Sequence, residues 1–164
     1  MFLSYIFVIL DCVQFAKRSW QQRNQIKTTQ GPLWLTVPVE TKGKRSQLIT
    51  EVIINQESDY INNHSKAIKY NYNKADHFKD HFSPLTDIFN HRFEKLIDLN
   101  MAIIYYLAEQ AGVNCEFVFS SKLDVAGSKD SLLAAICKEL AAEEYISPPS
   151  SRCYLEESKQ FREI

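Results

Sequence analysis

The sequence predicts an α/β protein: a mostly parallel sheet with flanking helices and a helical middle section. Three observations carry this. An unbroken apolar run over residues 5–10 ends at Asp11, as in a strand covered on both faces. In the middle of the chain Leu85, Ile88, Phe89, Phe93, Leu96, Ile97, Asn100, Ile104 and Leu107 recur at steps of three and four, a helical period. The last third then reads helix, strand, helix, strand, helix, an order that implies parallel strands joined by right-handed crossovers.

In chain order, residues 5–10 form the first strand. Residues 14–31 are polar, basic and amide-rich and close at Gly31-Pro32. Residues 33–39 read as a second strand whose pairing ends at Pro38, because proline has no N–H for a ladder. Residues 41–46 make a basic turn at Gly43, and residues 48–55 a third strand. Asp59 is placed to cap a helix to Tyr72. A second helix covers residues 75–82. The long helical stretch begins at Ser83-Pro84, as one helix or as two broken near Asn90, and closes at Gly112, the usual place for a left-handed cap. Residues 115–119 are a strand. Ser128 caps a helix over residues 129–142. Residues 145–146 form a short strand, residues 147–152 a tight loop, and residues 153–162 a last helix.

The length of 164 residues suggests one domain over residues 1–164, long enough for a core without staples. With 45% hydrophobic residues and only four Gly, disorder and collagen-like repeats are excluded. The charge is polar along the chain. Residues 1–50 carry seven Lys/Arg against two acids, and residues 101–164 carry six against ten. That favours an anionic ligand near the N-terminal part. A phosphate or nucleotide-linked metabolite fits. Nucleic acid ranks last as a partner, because the whole chain is close to neutral. The four cysteines match no zinc or redox spacing, so reduced thiols and a cytoplasmic setting are expected. The apolar start is too short to span a bilayer, and it lacks the basic residues and cleavage site of a signal peptide.

Two stretches can carry chemistry, both beyond strand ends, where α/β proteins place ligands. The first runs from Asp11 to Lys27. Asp11 sits at a strand mouth, Gln14 and Asn24 donate and accept, Arg23 offers a planar fork for phosphate, and Trp20 offers a stacking face. Lys17 and Ser19 complete the set. The second holds Ser147, Ser151 and Arg152, a hydroxyl-rich loop opening a helix, where free N–H groups favour anions. Each stretch also reads as plain structure: a basic surface loop, and a serine cap after a double-proline turn. His77 and His81 share a helical face, but Phe78 stands where a metalloprotease motif needs Glu, so no metal is expected. His64 is the best available general base, since its free pKa lies near neutrality. No cofactor motif is legible. Gly-x-Gly-x-x-Gly, Walker and Gly-x-Ser-x-Gly patterns do not occur in the sequence.

The stretch Asp-Cys-Val-Gln-Phe-Ala-Lys-Arg-Ser-Trp-Gln-Gln-Arg-Asn-Gln-Ile-Lys at 11–27, followed by Gly-Pro-Leu-Trp-Leu-Thr-Val-Pro-Val at 31–39, resembles the WbqC-like protein family. So do His64 through Ala75 with Phe78, Leu99-Asn100, and Tyr-Ile-Ser-Pro-Pro-Ser-Ser-Arg-Cys-Tyr-Leu-Glu at 145–156. Members are bacterial and associated with surface-polysaccharide (O-antigen) gene clusters. The resemblance implies a role in that biosynthesis. One form is aminoacyl or acyl transfer to a nucleotide-linked amino sugar, with Asp11 orienting a hydroxyl or amine, Lys17 and Arg23 holding phosphate, and His64 as base. Another is non-catalytic recognition of a sugar or a partner enzyme, and an inactive remnant is a third. Typical members begin with a strand and a His-Gln-Pro-x-Tyr-Leu-Pro-Trp segment and continue beyond position 164, so the resemblance also implies a partial domain. Cys12 replaces a second carboxylate usual in the family, and Pro148 a usual glycine.

Overall fold

The computed structural model describes residues 6–151 and 155–162. They form a mixed α/β protein that divides into two compact units. One is Cys12–Val113, and the other combines Met1–Asp11 with Asn114–Ile164.

Within Cys12–Val113, strands β1 (Arg23–Thr28) and β2 (Gly31–Thr36) make an antiparallel hairpin in the register Arg23↔Thr36 to Thr28↔Gly31. Gly31 takes φ +110° at the turn, a conformation costly for any side chain-bearing residue. The Thr28 hydroxyl fastens that turn by donating to the Gly31 carbonyl at 2.6 Å. Pro32 stands opposite Lys27, whose N–H donates instead to the Tyr72 hydroxyl at 2.9 Å. The ladder stops at Thr36, before Pro38, as proline requires. Strand β1 falls in the stretch read as irregular. Ile26 is its one apolar side chain, so it shows no alternating period.

The expected strand over residues 48–55 is corrected. A 3₁₀ turn occupies Ile49–Glu51, and beyond it only isolated bridges form, Val39↔Ile54 and Ile53↔Lys95. The cause is local: the Glu51 carboxylate accepts the Leu48 N–H at 2.8 Å and curls the backbone.

Three helices follow: α1 (Tyr60–Tyr72), α2 (Phe78–Asn90) and α3 (Leu96–Gln110). Asp59 is the N-cap of α1, but its carboxylate accepts from the Asn62 side chain rather than from the backbone. The helix boundary expected at Ser83-Pro84 is also corrected, since α2 runs through Pro84. The helical stretch instead breaks at residues 91–95, after Asn90, and Arg92 takes a left-handed φ of 53° there. Past α3, Gly112 at φ +65° donates to Glu109 O and Val113 donates to Ala108 O, the paired bonds of a Schellman cap. The core is Phe15, Val37, Val52, Ile54, Tyr60, Phe89, Leu96 and Leu99, all within this unit.

In the other unit, β3 (Ile6–Ile9) and β4 (Glu116–Phe119) pair in parallel, with Phe7 and Phe117 ring centroids 5.7 Å apart. Helix α4 (Lys129–Glu139), with Ser128 as its N-cap, buries Leu132, Ala134, Ile136 and Cys137. Burial pushes the Cys137 thiol pKa up, which keeps it protonated and unreactive. The four-residue helix α5 (Lys159–Arg162) is tied to α4 where the Ser158 hydroxyl donates to Asp130 at 2.7 Å. That bond holds the Asp130 carboxyl below the usual range. Residues 145–146 enter no ladder, against the strand expected there. Pro148 and Pro149 follow directly and supply no N–H, and the Tyr145 ring instead meets Phe161 at 5.1 Å. Among the described residues no helix is long and apolar enough to cross a membrane.

Candidate functional site

The segment over residues 14–22 is a loop held open by its own amides. Phe15 anchors it in the core, and its N–H donates to Gln47 O at 2.9 Å. Gln21 Oε1 accepts the Ala16 N–H at 2.8 Å, and Gln22 Oε1 accepts the Arg18 N–H at 3.0 Å. The second bond fixes Arg18 at φ 57°, which only a surrounding network sustains. The Ser19 hydroxyl donates to Ala16 O at 2.6 Å and accepts from the Gln21 N–H. Asn100 on α3 donates to Gln21 O at 2.8 Å. The amide richness that suggested ligand contacts is therefore largely loop scaffolding.

The scaffold presents a ladder of rings. Trp20 is 66% exposed, and its ring lies 4.9 Å from that of Trp34, which is 38% exposed. The Arg23 guanidinium carbon sits 4.2 Å from the centroid of the Trp34 ring, a cation–π distance. Arg23 and Trp34 face the same side of the hairpin because they are diagonal neighbours across it. Arg23 Nε is buried without a hydrogen-bond partner. Trp20 and Arg23, two predicted ligand contacts, are thus brought together, with Trp34 between them. Asn24 is exposed on the same strand, and its side-chain oxygen accepts the Gln25 N–H. Gln14 and Lys17 turn elsewhere, donating to Arg45 O and Thr41 O.

His64 and Asp11 are held inside the protein. His64 is 7% exposed and its Nε2 lies 3.2 Å from Thr36 O. A carbonyl only accepts, so Nε2 carries the proton. Tyr60 and Phe89 meet the imidazole edge-on. Burial lowers its pKa, with the Thr36 bond opposing, so the ring is neutral at pH 7. Asp11, in the other unit, is 3% exposed. Its carboxylate accepts from the Ser120 hydroxyl at 3.0 Å, the Ser121 N–H at 2.8 Å and the Ser121 hydroxyl at 2.6 Å. It clamps the end of β3 to the turn that follows β4. Ser147 is half-buried and Ser151 buried, its N–H donating to Pro148 O. Arg152 lies outside the described residues. The nearby histidines turn to other partners, His77 to Asp80 at 3.3 Å and His81 to the Tyr106 hydroxyl at 2.8 Å. Among the described residues no group of three or more His, Cys, Asp or Glu is placed to hold a metal.

Sequence reasoning missed Trp34 and Asn100 as parts of this site. Trp34 read only as a strand residue, and Asn100 as one position of a helical period. The signal that could have found Asn100 was a polar side chain on an otherwise apolar helical face.

The described residues thus form a mixed α/β protein that displays a Trp–Trp–Arg ladder on an amide-braced loop and hairpin. The chain belongs to the WbqC-like protein family, whose model matches residues 1–164. It is similar to an uncharacterized protein of Mycobacterium tuberculosis (strain ATCC 25618 / H37Rv), Rv1507c. The two are 36% identical over 152 residues, or 92% of this chain and 65% of that protein. The chain thus spans about two thirds of the length of that relative. No solved structure matches it.

Proposed function

We propose that this protein recognises a nucleotide-linked amino sugar in the cytoplasm, in bacterial surface-polysaccharide (O-antigen) biosynthesis. The observation that carries the reading is the Trp20–Trp34–Arg23 ladder. Exposed indole faces stack on a base or on the apolar face of a sugar, each contact worth about 1–3 kcal/mol by analogy with base stacking. The Arg23 fork adds a donor set for phosphate. Ser19 adjoins Trp20 in the loop, whereas Asn24, next to Arg23 on β1, points to the opposite face of the hairpin. The family's association with polysaccharide gene clusters supplies the substrate class.

Acyl or aminoacyl transfer to the sugar amine is the second reading. It needs His64 as base; the ring is neutral, but it is 7% exposed and held through Nε2 by Thr36 O, so a substrate would have to reach Nδ1. In the recognition reading the sugar passes to a partner enzyme.

Both tryptophans of the chain belong to the ladder, so tryptophan emission, excited selectively over the tyrosines, reads this face alone. Titration with a nucleoside-diphosphate amino sugar should quench it saturably, and Trp20→Ala should weaken binding by roughly tenfold. Equal affinity in that variant would remove the ladder from the site. Incubating the same sugar with an acyl donor separates the two readings. Product from the wild type that vanishes in His64→Gln, with binding intact, favours transfer. Saturable binding without product leaves recognition.

A further inference from the structure

Gln14 and Lys17 do not point at the ladder. Both hold one loop, residues 41–47, by donating to its carbonyls at Arg45 (3.0 Å) and Thr41 (3.3 Å). That loop carries Lys42, Lys44 and Arg45 around Gly43, which turns at φ +74° with open space beside it. Lys44 pairs with Glu40 at 2.9 Å. Among the described residues Lys42 and Arg45 have no carboxylate partner. A depression of about 400 Å³ is lined by Gly43, Lys44, Arg45, Ser46, Gln47 and Glu51.

The loop is braced from within as well: Gln47 is 8% exposed, and its Nε2 donates to Glu40 O at 3.3 Å.

We propose that residues 41–47 form an anion subsite for a phosphate or diphosphate group. Lys42 and Arg45 pair with its oxygens. Arg45 suits this because its planar fork matches phosphate geometry. Gln14 and Lys17 act as positioning residues that fix the loop backbone. The identity of the ligand as a nucleotide-linked sugar rests on the function proposed above; the anion subsite does not.

Inorganic pyrophosphate is the probe, because it carries neither base nor sugar. In calorimetric titration at low salt the full chain should bind it, more weakly as salt rises. Arg45→Ala and Lys42→Ala change exposed side chains and should each weaken binding roughly tenfold, with circular dichroism unchanged. Absence of binding by the wild type, or wild-type affinity in both variants, overturns the subsite. Pyrophosphate binding without any affinity for a nucleotide sugar keeps the subsite and sinks the function proposed above. Nucleotide-sugar binding undiminished in both variants does the reverse.

Discussion

At the scale of single residues, the polar side chains separate into those that hold the protein together and those that remain available. His64 belongs to the first group by geometry. It is wedged between Tyr60 and Phe89, with Nε2 bonded to Thr36 O. Burial lowers its pKa, so the folded chain prefers the neutral ring more than the unfolded chain does. The unfolded state then binds more protons below about pH 6.5, the ordinary histidine value, and stability there rises with pH. The contribution of His64 is complete above that value and is lost as pH falls through the lowered folded pKa. His64→Gln keeps a donor for Thr36 O but cannot titrate. Urea midpoints at pH 8 and pH 5.5 should therefore fall further for the wild type than for the variant. Equal falls would mean that the imidazole does not titrate against the fold. Asp11 shows the same division, since three donors from Ser120 and Ser121 occupy its carboxylate. Trp20, Trp34, Lys42 and Arg45 are among those the fold leaves facing solvent. From the sequence, Trp20 and Arg23 were legible as candidates, because aromatic and guanidinium groups in a polar loop have few structural uses. Trp34 was not, because an aromatic in a strand usually packs inward.

At the scale of elements, legibility followed the strength of the local period. Helix α3 and strands β3 and β4 were read from apolar repetition, and Ser128 and Gly112 from their capping chemistry. Strand β1 was hidden because its stability comes from the β2 ladder and the Tyr72 hydroxyl, neither of which leaves a pattern within residues 23–28. Residues 48–55 misled because Val52, Ile53 and Ile54 are good strand formers, while Glu51 closes a turn just before them. Pro84 misled in the other direction. It reads as a boundary because the proline ring clashes with the carbonyl four residues back and removes one helical bond. Yet α2 continues past it, with the Thr86 hydroxyl donating to Phe82 O and Ser83 O one turn on. The helix is thus kept by packing, with Phe89 buried at its far end, and bears the cost of the proline. Pro84→Ala restores an N–H for Asp80 O, and proline costs up to about 3 kcal/mol against alanine inside a helix. The variant should be stabilised by about 1–3 kcal/mol in urea denaturation. A destabilised variant would show that the ring of Pro84 contributes packing that outweighs the missing bond.

At the scale of the whole molecule, the two compact units are unequally equipped. The hydrophobic cluster from Phe15 to Leu99 lies entirely in Cys12–Val113. So do the Trp20–Trp34–Arg23 ladder and the loop over residues 41–47. The other unit has a two-stranded parallel pair, with Phe7 exposed on it, and the buried side chains of α4. Two-stranded sheets are at best marginal alone, whereas the helices and hairpin of Cys12–Val113 enclose a continuous core of ordinary domain size. Residues 12–113 expressed alone should therefore fold. They should unfold cooperatively in urea, keep the tryptophan emission of the full chain, and bind pyrophosphate within about threefold of it, a difference of under 1 kcal/mol. A polypeptide of those residues that stays unfolded would show that the core needs the parallel pair and α4 to form. One that folds but loses pyrophosphate would instead place part of the anion site in the other unit, beyond the reach of Lys42 and Arg45.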